Sequence, residues 1–100
     1  MDASKVLYKS TEDALQSLGK EAARVLTLQL IERGVEMAPN NFDINKFAPA
    51  LNKLLGEGSE TILELVYRNL RGSLGLEVEV NPALPVLEKI NKVLEAKKMS

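Results

Sequence analysis

The sequence predicts an all-α fold: a compact bundle of four to five helices, built from two consecutive helix-turn-helix hairpins and followed by a C-terminal amphipathic helix. Three observations lead there. Apolar residues recur at helical spacing through the first two thirds of the chain. Gly19, Gly34 and Gly56 stand where those periodic runs stop, as the punctuation of helix ends does. Finally, "ALNKLLGEGSETIL" at 50–63 nearly repeats "ALQSLGKEAARVL" at 14–26, so the chain makes a similar turn twice.

The first element is read from "STEDALQSLG". Ser10 or Thr11 can cap a first turn in which Glu12 and Asp13 complement the helix dipole, and Ala14, Leu15 and Leu18 follow on one face. That makes a short helix ending at Gly19, with residues 1–9 as an N-terminal arm. From Lys20 to Arg33, the residues Ala22, Ala23, Val25, Leu26, Leu28, Leu30 and Ile31 cover far more than one stripe. Such a helix must be flanked on more than one side, which marks it as the expected centre of the core, with Gly34 as its terminator.

"GVEMAPNNFDIN" at 34–45 has the composition of a loop. Asp43 or Asn45 can cap a third helix carrying Phe47, Leu51, Leu54 and Leu55, in which Pro49 is acceptable only near the first turn. Gly56 stops it. Ser59 then opens a fourth helix whose apolar face, Ile62, Leu63, Leu65, Val66, Tyr67 and Leu70, lies opposite a stripe of Glu60, Glu64, Arg68 and Arg71. The predicted core comprises Leu15, Leu18, Val25, Leu26, Leu30, Phe47, Leu51, Leu54, Leu55, Ile62, Leu65, Val66 and Leu70.

The last third changes character. "LEVEV" at 76–80 alternates with the period of a strand but has no second strong strand to pair with, so an extended connector is the plainer expectation. Asn81 and Pro82 form an N-cap and N1 pair that opens a final helix through about Lys97. Its apolar residues Val86, Leu87, Ile90, Val93 and Leu94 make one stripe, with Glu88, Lys89, Lys92 and Glu95 on the other faces. The chain thus divides into an arm at 1–9, a helical core at 10–76, and a linker and helix at 77–100 that pack on the core or on a second chain.

The repeat explains the glycines. Each copy is a short helix ending on Leu-Gly that turns into a longer one, so Gly19 and Gly56 should be left-handed residues at hairpin corners, each preceded by a leucine plugging the corner. The registers differ by one residue, Leu54-Leu55 against Leu18, which makes shared packing logic a safer account than duplication.

These same residues carry a resemblance. "DALQSLGKEAARVL", then Phe47, Ala50, Leu51, Leu54, Leu55 and Gly56, then "SETILELVYRNLRGSLGL", resemble the small archaeal family called the Nitrosopumilus output domain over roughly residues 10–76. The resemblance implies a stand-alone all-helical module, of a kind also found as the last domain of archaeal signalling chains, in a family with no assigned enzymatic activity. Its matching positions are structural leucines and glycines, so it implies no site residues.

Composition narrows the chemistry. At 100 residues, with 45% hydrophobic and 27% charged residues, the chain supports one core and no second domain. There is no cysteine and no histidine, which excludes the common zinc sites, haem ligation, thiol nucleophiles, the serine triad and imidazole acid-base chemistry. No cofactor and no metal are expected, and the protein is not expected to be an enzyme. "MDASKVLYKSTED" has charges where a signal peptide needs an apolar stretch, and no run is long enough to span a membrane, which points to a cytoplasmic protein.

Several short patterns invite sharper readings and fail on context. "GEG" at 56–58 precedes a helix as a phosphate loop does, yet it follows a helix and lacks the Lys-Ser/Thr of that loop. "GSLG" at 72–75 resembles a Gly-x-x-Gly clamp without the surrounding strands. Glu60 with Glu64, and Glu77 with Glu79, are carboxylate pairs on solvated segments rather than in a pocket that would separate their pKa values. Tyr8 and Tyr67 are lone aromatics suited to packing.

The function expected from these residues is a non-enzymatic protein-interaction or signalling-output module. Its partner would be another protein or a second copy of itself, docking on Val86, Leu87, Ile90, Val93 and Leu94 across a twofold axis. One alternative is a nucleic-acid-binding helix-turn-helix with Lys20 and Arg24 at the start of its recognition helix, but a net charge of -1 supplies no footprint for a phosphate backbone. A small-ligand-binding helical domain is the second alternative.

Overall fold

The structure, a computed structural model, describes residues 3–75 and 80–99. It is all-α, as the periodicity predicts: α1 (Ala3–Gln16), α2 (Lys20–Glu32), α3 (Ile44–Leu55), α4 (Gly58–Leu74) and α5 (Val86–Met99), with no strand among the described residues. Helix α4 is the axis of the bundle, since α1, α3 and α5 all pack against it. Its buried face is Ser59, Ile62, Leu63, Val66 and Leu70, close to the stripe read from the sequence.

Helices α1 and α4 form the most extensive contact, and they come from different hairpins. The hairpins therefore bury their apolar faces against one another largely through this pair. Helix α1 begins at Ala3, so the expected arm at 1–9 is, over its described residues, the first half of a helix. Val6, Leu7, Ser10, Thr11, Ala14 and Leu15 are its buried residues. Ser10 and Thr11 are consequently not caps: Thr11 Oγ1 donates to the carbonyl of Leu7, 2.9 Å away, which satisfies the hydroxyl inside the helix. Hydroxyl residues suit a cap and a mid-helix position of this kind alike, and here tertiary burial decided between them.

The corners use glycine as anticipated, with a different backbone. Gly19 has φ 104 and ψ 150, and Gly56 has φ 60 and ψ -133, so both have positive φ but neither takes the left-handed helical ψ of a C′ residue. Leu18 does not plug its corner and is 44% exposed, whereas Leu55 is partly buried against the core.

The loop between α2 and α3 folds onto the bundle. Val35 and Phe42 are buried, Phe42 meets Tyr8 edge-on at 5.6 Å, and Phe42 meets Phe47 at 5.4 Å. Tyr8 Oη donates to the Met37 carbonyl at 3.1 Å, and Ser4 Oγ donates to that of Pro39 at 3.1 Å, so α1 clasps the loop at two points. Asp43 is the cap of α3, accepting from the Asn45 N–H at 2.9 Å. Pro49 lies inside α3, with helix on both sides of it.

The final helix starts later than Asn81-Pro82 suggested. Asn81 Oδ1 accepts from the Ala83 N–H at 3.0 Å, and the Leu84 N–H donates to the Asn81 carbonyl at 3.1 Å, which makes a single turn. Pro85 follows and disfavours the helical region for Leu84, so α5 begins at Val86. Residues 76–79 of the "LEVEV" segment lie outside the described residues, and Val80 packs half-buried against the core.

Candidate interaction surface

The stripe on α5 was the expected docking face, and the structure buries it within the chain. Val86 is 4% exposed, and Ile90 and Val93 are fully buried. Leu87 and Leu94 are partly buried against the same core. Helix α5 lies on α1, α3 and α4. Two polar ties hold it there. Asn45 and Asn91 exchange side-chain amide hydrogen bonds of 3.2 and 2.9 Å, joining α3 to α5. Lys89 Nζ reaches Glu64 Oε1 at 3.3 Å and stands 5.0 Å from the centre of the Tyr67 ring, joining α5 to α4. A radius of gyration of 12.8 Å agrees with the roughly 13 Å of a compact chain this long, as a folded-back α5 requires. Val86, Ile90 and Val93 are thus covered within the chain itself, while Leu87 and Leu94 keep partial exposure.

Helix α2 has the opposite fate. Expected at the centre of the core, it is an edge helix that packs on α1 and α3 alone among the helices. Ala23, Leu26 and Leu30 make its buried face. Val25, Leu28 and Ile31 point away from the bundle and are 51%, 53% and 50% exposed, and Leu18, before the corner, is 44% exposed. Among the described residues these four are the exposed large hydrophobics of the protein. The sequence signal that could have found them was present: a helix apolar around most of its circumference needs cover on more than one side, and this chain covers one.

Polar residues border this face unevenly. Lys20, Glu21, Arg24 and Glu32 are all exposed. Behind the ridge, an open groove of about 280 Å³ separates α2 from α1, with Leu15 and Ala23 in its floor and Arg24 and Leu28 on its rim. Tyr8 and Glu12 line its other side. Burial pushes the Tyr8 phenol above its ordinary value, and the neighbouring Glu12 carboxylate adds to the shift. A larger open cleft of about 540 Å³ lies between the end of α2 and α3, where Arg33, Lys46 and Lys53 surround Val35, Pro49 and Ala50.

The remaining sequence candidates fall elsewhere. Glu60 is exposed and Glu64 is paired with Lys89, so they form no joint carboxylate site. Glu77 and Glu79 are outside the described residues. Tyr67 Oη accepts from Arg71 Nη1 at 2.9 Å on the half-buried side of α4. Gly58 opens α4 rather than a phosphate loop, and Gly75 is its left-handed C-cap. Among the described residues no group of three carboxylates is placed to hold a metal, and no helix is long and apolar enough to cross a membrane. No family model, no curated protein and no solved structure matches the chain.

Proposed function

We propose that the protein is a non-enzymatic interaction module of the signalling-output kind, cytoplasmic and related to the Nitrosopumilus output domain family, with the outer face of α2 as its docking surface. The observation that carries the reading is the half-exposure of Val25, Leu28 and Ile31 along one helix, with Leu18 half-exposed just before it, while among the described residues the other large apolar side chains are buried or partly buried. Isolated surface leucines need no explanation, but an apolar patch of this kind bordered by charges is characteristic of contact surfaces. The nucleic-acid alternative has Lys20 and Arg24 exposed on α2, but Glu21, Glu32 and the ridge share that face and would be set against the phosphates.

A photoreactive residue placed at Leu28 tests the assignment in the cell. Irradiation should give discrete protein adducts at that position and none from a matched probe at the exposed Glu60 of α4. The absence of any adduct at Leu28 under conditions where the protein is expressed and folded would remove α2 as the docking face.

A further inference from the structure

The pattern of charges around the α2 ridge is its own complement. At about 100° per residue, Val25, Leu28 and Ile31 form a line three residues apart that runs obliquely across the helix, with Leu28 at its middle. Arg24 precedes Leu28 by four residues and lies on one side of that line, while Glu32 follows it by four and lies on the other, at an equal distance. Both are exposed, and among the described residues neither has an ion-pair partner within the chain.

We infer that the occupant of this face is a second copy of the chain, related by a twofold axis running along the Val25, Leu28 and Ile31 line. This inference rests on the docking assignment just made and specifies its partner. Rotation about that axis sets each of the three apolar residues against its own counterpart and carries Arg24 onto Glu32 of the second copy, and Glu32 onto Arg24, closing two ion pairs at once. A twofold axis perpendicular to the line sets Arg24 on Arg24 and Glu32 on Glu32, so the charges select one arrangement and reject the other.

The available area sets the strength. The three half-exposed side chains on the axis offer roughly 270 Å² of apolar surface per copy, a little under the size of patch that is functional on small proteins. Two copies then bring together about 540 Å², and at the usual apolar share this corresponds to an interface of about 950 Å², in the range of weak, transient association. The dimer is accordingly weak and reversible, with a dissociation constant of about 100 μM.

Sedimentation equilibrium of the full chain from about 1 μM to 1 mM reads the result directly. The expected mass rises from 11.0 kDa toward twice that value with concentration. Leu28→Asp should hold the protein monomeric throughout with an unchanged helical circular dichroism spectrum. Arg24→Glu and Glu32→Arg should each weaken dimerisation by about tenfold, because each converts both pairs to like charges. The double variant restores both pairs and should recover to within about threefold of the wild type. A wild type that stays monomeric at 1 mM overturns the inference, and so does a double variant as weak as the single ones. The Leu28 cross-link separates this failure from failure of the docking face: an adduct to a different protein leaves the face standing and removes the second copy as its occupant.

Discussion

Replacing Ile90 with alanine distinguishes an α5 that completes the core from one that waits for a partner. Ile90 is fully buried, on a helix that packs against α1, α3 and α4. Truncation removes three carbon groups, worth about 2.4 kcal/mol at about 0.8 kcal/mol each. The cavity left behind adds to that, which places the loss at about 3 to 4 kcal/mol. With a urea dependence of about 1.5 kcal/mol/M for a domain of this size, the unfolding midpoint should fall by about 2 M. The assay is urea unfolding followed by far-ultraviolet circular dichroism at low micromolar protein, where a weak dimer is dissociated. Leu28→Ala on the exposed ridge is the matched control and should change stability by less than about 0.5 kcal/mol. A loss below about 1 kcal/mol for Ile90→Ala, or equal losses for the two variants, would refute the placement of α5 in the monomer core.

Four further substitutions test local features. Gly19→Val and Gly56→Val should each cost about 1 kcal/mol or more, because both glycines have positive φ, whereas Gly58→Ala, at a position with ordinary φ and 3.8 Å of clearance to Leu55 Cβ, should be nearly neutral. Equal tolerance in thermal melts at all three positions would contradict the corner geometry. Ser10→Ala should be neutral or stabilising by up to about 1 kcal/mol, since Ser10 Oγ is buried with no hydrogen-bond partner, and the Asn69 amide bonds the Ser10 carbonyl, which alanine keeps. A clear loss of stability would show that the hydroxyl is satisfied after all.

Helix identity was legible because each apolar run has a 3.6-residue period and a punctuated end, and the glycine corners at 19 and 56 fell where the repeat placed them. The partners of the faces were not legible. Val25, Leu28 and Ile31 are as apolar as Val86, Ile90 and Val93, yet the first set is half-exposed and the second buried. Periodicity says which residues share a face, but which face finds cover depends on where the other helices run, and that information is nonlocal. The expected core suffered accordingly at Leu18 and Val25, while Leu15, Leu26, Leu30, Phe47, Leu51, Ile62, Val66 and Leu70 are buried and Leu54, Leu55 and Leu65 partly so. The start of α1 was hidden for a different reason. Its inner face carries Ser10 and Thr11 where a hydrophobic stripe would have been recognised, because the close contact with α4 accepts small polar residues, of which Thr11 bonds its hydroxyl to its own helix. The proposed docking face was half legible, since the excess of apolar residues on α2 is visible in the sequence but reads as deep burial when no structure shows the uncovered side.

The clasp of the α2–α3 loop by Tyr8 gives a pH-dependent test of how α1 holds that loop on the bundle. Tyr8 Oη donates to the Met37 carbonyl at 3.1 Å while its ring stands edge-on to Phe42. Only the protonated phenol can donate that bond, and burial together with Glu12 raises its pKa above the ordinary 10.0. In the unfolded chain the phenol ionises near its ordinary value. Below pH 10.0 both states therefore hold the proton and the contribution is complete; above it the unfolded state loses the proton first, and stability drains away as pH rises through the folded pKa. Tyr8→Phe keeps the ring and deletes the bond. It should cost about 1 kcal/mol near neutral pH, the ordinary net worth of one hydrogen bond. The difference between wild type and variant should shrink as the pH is taken above 10.0, because the wild type alone pays for deprotonation. Alkaline effects on the rest of the chain are common to both proteins and cancel in that difference. Urea midpoints of the pair at neutral pH and in steps above pH 10.0 supply the measurement. A stability difference that stays constant across the alkaline range would mean that the hydroxyl is no more protected in the folded state than in the unfolded one, and the loop clasp would then rest on the Tyr8 and Phe42 rings rather than on the hydrogen bond.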